Sequence, residues 1–304
     1  MENILIIKHG ALGDFVLALG VMKALRERHP SARFTLMTIK SLVPIAEQTG
    51  IFSDYIVDGR ASLLHVATSF RVLRRLLAGR FSRIYDLQER TRTETYRRFL
   101  RLFAPAGEYD WIKCYSKKRL HVCKSCRAGW GRETEEAEQV AFPCPDLSFL
   151  HGKGEYFHLL PERFVMLIPG CSPQHPYKRW SAENYRELVR RLAARGLASV
   201  VIGTQAEAAE VNAICQGQES AVNMLNRTSL LDVPQLALRA VAVVGNDTGP
   251  SHMAALSGAF TLALYDQRNR TSVLHGPRCH SIVSPAGMEL ISVDEVWAAL
   301  EPQL

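Results

Sequence analysis

One segment near the C-terminal end restricts the possible folds of this chain more than any other part of the sequence. An apolar run over residues 241–244 ends at Gly245, a polar turn follows at residues 246–249, and Pro250 opens an Ala-rich segment with helical spacing. Proline costs little in the first turn of a helix, where its missing N–H would have no partner. The free N–H groups at a helix start bind phosphate. The segment therefore predicts an α/β fold and a phosphorylated ligand in the second half, with a tight turn that binds nothing as the alternative.

The chain opens with a second segment of the same design. Residues 4–8 form an apolar strand pattern, and the turn His-Gly-Ala-Leu-Gly-Asp follows at residues 9–14. Apolar residues then recur at helical spacing, namely Phe15, Val16, Leu19, Met22 and Leu25. The turn contains only G-x-x-G and lacks the full G-x-G-x-x-G fingerprint, so by itself it is a weak indication of a dinucleotide site.

Short strands alternate with helices in both halves, which predicts two parallel sheets covered by helices. Strands are predicted at residues 3–8, 33–38, 54–57 and 83–87, and again at 164–168, 198–202, 222–225, 241–245 and 260–265. Helices are predicted at 14–29, 41–49, 63–78 and 91–103, from 181 onward, at 206–215 and 230–240, up to 257, and at 293–300. Residues 109–157 are broken by proline and glycine and are predicted to form an irregular excursion followed by a linker. The predicted domains are residues 1–158 and 159–304. The last helix either belongs to the second domain or packs back on the first.

Arginine is concentrated in one stretch of the first half. The net charge is +7, and ten arginines lie between Arg71 and Arg101. Such a run is either a solvated helical face or a surface that attracts an anionic partner, such as a membrane or an acidic glycolipid. No nucleic-acid recognition motif accompanies the charge, so we expect no nucleic-acid partner. The sequence has no uninterrupted apolar run near the ~18 residues of a membrane span and no signal-peptide pattern, so we expect a cytoplasmic protein.

The seven cysteines do not indicate a disulfide framework, because the number is odd and no secretion signal precedes them. Cys123 and Cys126 form a C-x-x-C pair, with Cys114 and Cys144 nearby, and four thiolates suit structural zinc. The spacing does not match a familiar zinc ribbon, and His121 competes as a ligand. We therefore expect no required cofactor, and a structural zinc ion is the alternative.

Three motifs, taken in order, give the chain a family resemblance. They are Ile-Ile-Lys-His-Gly-Ala-Leu-Gly-Asp at residues 6–14, Lys-Arg-Trp at 178–180, and Gly-Asn-Asp-Thr-Gly-Pro-Ser-His at 245–252. Together they resemble glycosyltransferase family 9, the ADP-heptose:lipopolysaccharide heptosyltransferases, over nearly the whole chain except about residues 109–157. The resemblance implies a GT-B architecture, with an acceptor domain and a nucleotide-sugar domain, both Rossmann-like, facing each other across a cleft. It also implies inverting, metal-independent transfer of heptose from ADP-heptose to a lipopolysaccharide core or related glycan.

Two residues are candidates for the chemistry. The resemblance assigns Asp14 the role of the base that deprotonates the acceptor hydroxyl, and the alternative is that Asp14 only caps the helix that it begins. Lys178 lies in a loop after a predicted strand, and similar enzymes use the lysine of this motif on the donor phosphates. Its alternative is a solvated charge. Trp180 is predicted to pack at the start of the next helix.

The remaining donor contacts follow from the turn in the second half. The diphosphate is predicted to bind to the N–H groups of Thr248 and Gly249 and to the Thr248 hydroxyl. These donors would replace the divalent cation that other glycosyltransferases use to bind the diphosphate. Asp247 is predicted to accept hydrogen bonds from the donor sugar, and His252 to bond within the turn. Ser172 is a further candidate donor to phosphate.

The sequence motifs say least about which residues contact the nucleoside and the acceptor. Glu207 is positioned to accept from ribose hydroxyls, with an exposed helical glutamate as the equal alternative. The resemblance places Thr228 near the base. Predicted acceptor contacts, for an anionic glycolipid at the inner membrane surface, are Gly13, Arg60, Arg90 and Arg92.

One departure from the family pattern leaves the donor open. Related proteins commonly carry a Gly-Pro turn after Leu264, where this chain has Tyr265, Asp266, Gln267 and Arg268. Transfer of another sugar, transfer to protein, and a non-catalytic nucleotide-binding relative all stay open as alternatives.

Overall fold

The computed structural model describes residues 1–59, 66–104, 109–113, 127–129, 139–141, 144–267 and 276–304. The chain divides into two compact units, Met1–Pro145 and Asp146–Leu304. The division lies earlier than the predicted boundary after residue 158. Residues 146–158 belong to the second unit because they pack there: Leu147 and Leu150 are fully buried, and the Leu147 N–H donates to the Leu256 carbonyl at 2.9 Å.

The first unit is built around a parallel sheet. Its strands are β1 (Asn3–Ile7), β2 (Arg33–Thr38), β3 (Asp54–Val57), β4 (Arg83–Asp86) and β5 (Asp110–Lys113). Its helices are α1 (Leu12–Arg28), α2 (Val43–Gln48), α3 (Val66–Ala78) and α4 (Thr91–Phe103). The five strands lie in the order β3-β2-β1-β4-β5. Two further strands, β6 (Arg127–Gly129) and β7 (Gln139–Ala141), form a separate antiparallel pair.

The apolar run of β1 is explained by burial on both faces of the sheet. Leu5 and Ile7 pack in one core with residues of α3 and α4, including Leu76 and Tyr96. Successive side chains of a strand point to opposite faces, so Ile4 and Ile6 face the other side, where they are also fully buried. A strand in the middle of a parallel sheet needs apolar residues at every position for this reason.

The second unit repeats the design with one more strand. Its strands are β8 (Phe164–Ile168), β9 (Ala198–Gly203), β10 (Ala221–Leu225), β11 (Ala242–Asn246), β12 (Thr261–Asp266) and β13 (Cys279–Ser284). Its helices are α5 (Ala182–Ala194), α6 (Ala208–Cys215), α7 (Val233–Arg239), α8 (Gly249–Leu256) and α9 (Val293–Leu300). The six parallel strands lie in the order β10-β9-β8-β11-β12-β13.

The structure adds elements that the sequence analysis did not predict. Strand β5 lies in the stretch predicted as irregular, and β13 extends the second sheet beyond β12. Both are edge strands with few apolar residues, so neither gives the continuous apolar pattern of a buried strand. The last helix, α9, lies in the second unit, where Val296 and Leu300 are fully buried in the core beside α5.

In each sheet the first strand lies in the interior, and later strands are added first on one side of it and then on the other. β1 pairs with β2 on one side and β4 on the other, and β8 pairs in the same way with β9 and β11. In open α/β sheets, ligands bind outside the carboxyl ends of the strands at such a switch point. The loops after β1 and β4, and after β8 and β11, are therefore the places to look for function.

Candidate functional site

In the second unit, one buried asparagine joins the two loops at the switch point. Asn246 ends β11 and is fully buried; its Nδ2 donates to the carbonyl of Pro169 at 2.7 Å. The Trp180 N–H donates to Asn246 Oδ1 at 3.2 Å. Trp180 itself is buried at the start of α5, as predicted, and its Nε1 donates to the Ile291 carbonyl at 2.8 Å. The loops after β8 and β11 are thus held in a fixed relation.

Lys178, Asp247 and His252 meet at the carboxyl end of this sheet. Lys178 Nζ donates to Asp247 Oδ2 at 2.7 Å, and His252 Nε2 lies 3.6 Å from Asp247 Oδ1. The Asp247 side chain is 5% exposed and that of Lys178 is 14% exposed. The structure therefore brings together three residues that the sequence analysis predicted for the donor site, from the loop after β8 and from both sides of the start of α8.

The charge of Asp247 is maintained by its neighbours. Burial by itself raises the pKa of this carboxyl, but the hydrogen bonds and charges of His252 and Lys178 outweigh burial and hold its pKa below the usual value. Asp247 is therefore ionised at neutral pH and forms an ion pair with Lys178.

Helix α8 begins directly beside this cluster. Thr248 is its N-cap, and the Thr248 hydroxyl accepts the Ser251 N–H at 3.4 Å. Pro250 has no N–H, and among the residues that the structure describes no acceptor takes the N–H groups of Thr248 and Gly249. Two backbone donors at a helix start, next to a lysine, form an arrangement that suits a diphosphate.

A glycine makes the close packing of this turn possible. A Cβ on Gly245 would lie 2.6 Å from Ser251 Oγ and 2.9 Å from Ile168 Cβ. The Ser251 hydroxyl instead donates to the Asn246 carbonyl at 2.7 Å. A larger residue at Gly245 would push α8 away from β8.

The other predicted donor residues have different environments. Ser172 is exposed on the loop after β8. Glu207 Oε2 accepts from the N–H and the hydroxyl of Thr204, at 2.9 and 2.6 Å, and so caps a helical turn. Glu207 also lies beside the loop after β8, since a Cβ on Gly170 would lie 2.9 Å from its Cγ. Thr228 is half-buried on the loop after β10.

Asp14 in the first unit lies in the first turn of α1. It is the third residue of that helix and is half-buried, as is Gly13 before it. The N-cap is Ala11, which has no side-chain acceptor, and among the described residues Asp14 makes no capping hydrogen bond. The alternative in which Asp14 is the helix cap is therefore wrong.

A buried ionic network lies at the same end of the first sheet. Asp58 follows β3 and is fully buried. Arg92 donates two hydrogen bonds to its carboxylate, from Nε to Oδ2 at 2.7 Å and from Nη2 to Oδ1 at 2.6 Å. The Tyr96 hydroxyl donates to Asp58 Oδ2 at 2.6 Å, and His9 Nε2 lies 3.1 Å from the same oxygen. Burial raises the pKa of Asp58, but His9, Arg92 and Tyr96 together hold it well below its usual range.

This network changes the interpretation of the predicted acceptor residues. Arg92 is occupied by Asp58 within the first unit, whereas Arg90 is exposed just before α4. Arg60 lies outside the described residues, as do Cys114, Cys123, Cys126 and His121. Cys144 is exposed. Across the described parts of the chain, no group of three or more His, Cys, Asp or Glu is arranged to hold a metal ion.

No role was predicted for His9 or Asp58 from the sequence. The signal was available, because Asp58 directly follows β3, as Asp247 follows β11, and His9 lies two residues after the end of β1. The sequence did not indicate the partners of Asp58 on α4, because Arg92 and Tyr96 reach Asp58 only through the packing of that helix.

A comparison with known proteins now identifies the family. The sequence model of glycosyltransferase family 9 (heptosyltransferase) matches residues 97–273, which is more than half of the chain. The chain therefore belongs to glycosyltransferase family 9.

Individual relatives agree with this assignment. Lipooligosaccharide heptosyltransferase 2 of Haemophilus influenzae is 32% identical over 113 residues, a stretch that spans 35% of this chain and 32% of that protein. The structure of E. coli ADP-heptose lps heptosyltransferase II matches with a TM-score of 0.75 at 20% identity, over 100% of this chain and 98% of that one. E. coli heptosyltransferase WaaC with ADP matches with a TM-score of 0.72 at 16% identity, over 99% and 100%. The predicted GT-B fold class is confirmed by these likenesses.

Proposed function

We propose that this chain is an inverting glycosyltransferase that moves heptose from ADP-heptose to a lipopolysaccharide core or a related glycan. The observation that carries the proposal is the Lys178–Asp247 pair beside the start of α8, at the switch point of the second sheet. A nucleotide diphosphate needs fixed positive charge and backbone donors, and this place supplies both. Two of the similar structures are named for ADP-heptose or hold ADP, which favours that donor here.

The proposed reaction forms one bond and breaks one. Asp14 takes the proton of an acceptor hydroxyl as its oxygen attacks the anomeric carbon of the donor sugar. The bond between that carbon and the diphosphate oxygen breaks, and ADP leaves from the opposite face, so the anomeric configuration inverts. Lys178 and the N–H groups of Thr248 and Gly249 stabilise the negative charge on the leaving diphosphate. No metal ion is required for this charge compensation.

The donor half of the proposal is tested at Lys178. Because a hydrogen bond to a charged group contributes about 1.5–3 kcal/mol, Lys178→Gln should weaken ADP binding roughly ten- to hundredfold in isothermal titration calorimetry without added metal. Asp247→Asn frees the ammonium from its partner, so ADP should bind this variant at least as tightly as the wild type. UDP, GDP and CMP serve as competing nucleotides.

Arg190→Gln is the matched control, since Arg190 is an exposed cation on α5 that pairs with Glu187. It should leave ADP binding unchanged. Equal affinity of wild type and Lys178→Gln for ADP would remove Lys178 from the donor site. Tighter binding of another nucleotide would keep the site and discard ADP-heptose as the donor.

We also propose that the protein works at the cytoplasmic face of the inner membrane and contacts it through α3 and α4. Phe70, Leu102 and Phe103 on these helices are between 63% and 77% exposed. Exposed arginines accompany them, namely Arg71, Arg74, Arg98 and Arg101. Apolar side chains among arginines suit a surface of anionic lipid, where each arginine contributes about 1 kcal/mol. No described helix is long and apolar enough to cross a membrane.

Vesicle sedimentation tests this contact. We expect binding to phosphatidylglycerol vesicles and little binding to phosphatidylcholine vesicles, with loss of at least tenfold in affinity when Leu102 and Phe103 are both changed to serine. Leu290→Ser, at an exposed leucine of the second unit, should have no effect. Equal sedimentation of the wild type and the double variant with anionic vesicles would show that these helices are not the membrane contact.

A further inference from the structure

The loop after β4 holds the glycine turn after β1. Gln88 Oε1 accepts two backbone hydrogen bonds, from the His9 N–H at 3.0 Å and from the Gly10 N–H at 2.8 Å. Both N–H groups belong to the turn that leads into α1 and Asp14. A single side-chain oxygen therefore fixes two successive peptide groups at the switch point of the first sheet.

Gln88 is itself held in place by a buried carboxylate. Asp86 ends β4 and is 2% exposed, and its Oδ1 accepts the N–H groups of Gln88 and Glu89, each at 2.9 Å. Glu89 has a positive φ of 41°, an uncommon backbone conformation for a residue with a side chain. The backbone conformation of Glu89 therefore costs conformational free energy, and the hydrogen bonds of the loop offset that cost.

Two more bonds connect the same loops. The Leu87 N–H donates to the Ile7 carbonyl at 3.0 Å, and Lys8 Nζ donates to the Leu87 carbonyl at 3.2 Å. Lys8 is 2% exposed, so this contact is shielded from water. The turn after β1 is thus tied to the loop after β4 along its length from Ile7 to Gly10.

The position of Gln88 changes what this turn can do. Successive N–H groups in a glycine turn normally form a concave site for an anion. Here a neutral amide oxygen already occupies the N–H groups of His9 and Gly10, so these two donors hold the turn in place instead of a phosphate. This distinguishes the turn from the start of α8, where the donors of Thr248 and Gly249 are open.

Asp14 packs directly on the part of the turn that Gln88 fixes. A Cβ on Gly10 would lie 3.2 Å from Asp14 Cβ and 3.1 Å from Lys8 Cε, closer than ordinary contact. Gly10 and the Asp14 side chain are therefore close neighbours, and we expect a change in the position of Gly10 to alter the position of Asp14. Positioning errors of about 1 Å at a reacting group can lower a rate by about a hundredfold.

We propose that Gln88 is a positioning residue for the base Asp14, acting through the N–H groups of His9 and Gly10. The proposal rests on the proposed function in assigning Asp14 the role of base. Gln88→Leu removes the acceptor at similar volume, and Gln88→Glu keeps an acceptor oxygen. Gln88→Leu should lower kcat about ten- to hundredfold with the KM for ADP-heptose within about threefold, and Gln88→Glu should recover most of the loss.

Two readouts separate this proposal from the function on which it rests. Amide hydrogen exchange of the peptide spanning residues 8–15 needs no substrate and should be faster in Gln88→Leu than in the wild type or Gln88→Glu. Gln303→Leu, at an exposed glutamine of the second unit, is the control. An unchanged kcat in Gln88→Leu, or a loss that Gln88→Glu does not recover, would overturn the positioning role. A wild type without turnover would overturn the proposed function, while unchanged exchange in Gln88→Leu would independently overturn the role of Gln88.

Discussion

Replacing Asp14 by asparagine is expected to lower turnover by about 10²- to 10⁴-fold, the usual contribution of a positioned general base. Asparagine keeps the shape of the side chain but cannot take a proton from the acceptor hydroxyl. ADP binding should stay unchanged, because the donor contacts proposed above all lie in the second unit. Initial rates of ADP release, together with calorimetric titration of ADP, measure both quantities on the same preparation.

The structure makes this experiment easier to interpret. Asp14 is not the cap of α1, so its loss removes only a favourable charge near a helix N-terminus, which costs about 0.3–1 kcal/mol. Glu183→Gln, at an exposed acid in the first turn of α5, controls for that electrostatic effect. If Asp14→Asn kept turnover within a few-fold of the wild type, Asp14 would not be the base.

The largest effect on stability is expected at Asp58. Asp58→Asn takes a charge from a buried network and leaves the guanidinium of Arg92 without its carboxylate partner. Removing one member of a buried ion pair costs about 3–5 kcal/mol, and we expect about 3 kcal/mol here because Arg92 keeps some access to water. In a unit of this size that corresponds to a fall in Tm of roughly 6–12 °C.

Hydrogen exchange measured by mass spectrometry locates this loss, since peptides of β1 and β3 should exchange faster while those of β8 and β11 should not. Asp54→Asn, at the start of the strand that Asp58 follows, is the control, because its pair with Arg75 is exposed and contributes at most about 1 kcal/mol. Equal destabilisation by Asp54→Asn and Asp58→Asn would show that burial of the network contributes nothing.

The pH dependence of this effect has a definite sign. The pKa of Asp58 is lowered in the folded state, so its stabilising contribution is fully present above the unfolded value of about 3.9. It is lost as the pH falls through the folded value. The difference in free energy of unfolding between wild type and Asp58→Asn should therefore stay level from pH 7 down to about pH 4 and shrink below that.

Much of the fold was predictable because it depends on local patterns. The strands β2, β3 and β8 and the helices α4 and α9 have the predicted bounds, since short runs rich in apolar residues mark the strands and helical spacing marks the helices. A local pattern also caps the turn before α7, where the Ser229 N–H donates to Asp232 Oδ2 at 2.8 Å. The strands β5 and β13 were missed, because their short sequences, DWIK and CHSIVS, mix polar with apolar residues and contain no continuous apolar run.

Part of the candidate site could also be predicted. Lys178, Asp247 and His252 were predicted as donor-site residues because each lies close to the end of a parallel strand or the start of a helix, and the structure brings their side chains together. The partners of Asp58 and the contacts of Gln88 were not predicted, because they join residues 34 and 79 positions apart in the sequence, which no local pattern records.

Product analysis on a heptose-deficient lipopolysaccharide core tests the central claim most directly. The wild type is incubated with ADP-heptose in the presence and absence of EDTA, and mass spectrometry follows the acceptor while ADP is quantified. We predict that the acceptor gains one heptosyl group for each ADP released, with or without EDTA, and that Asp14→Asn gives neither product. Binding of ADP-heptose without any transfer, or transfer only from a different nucleotide sugar, would contradict the account.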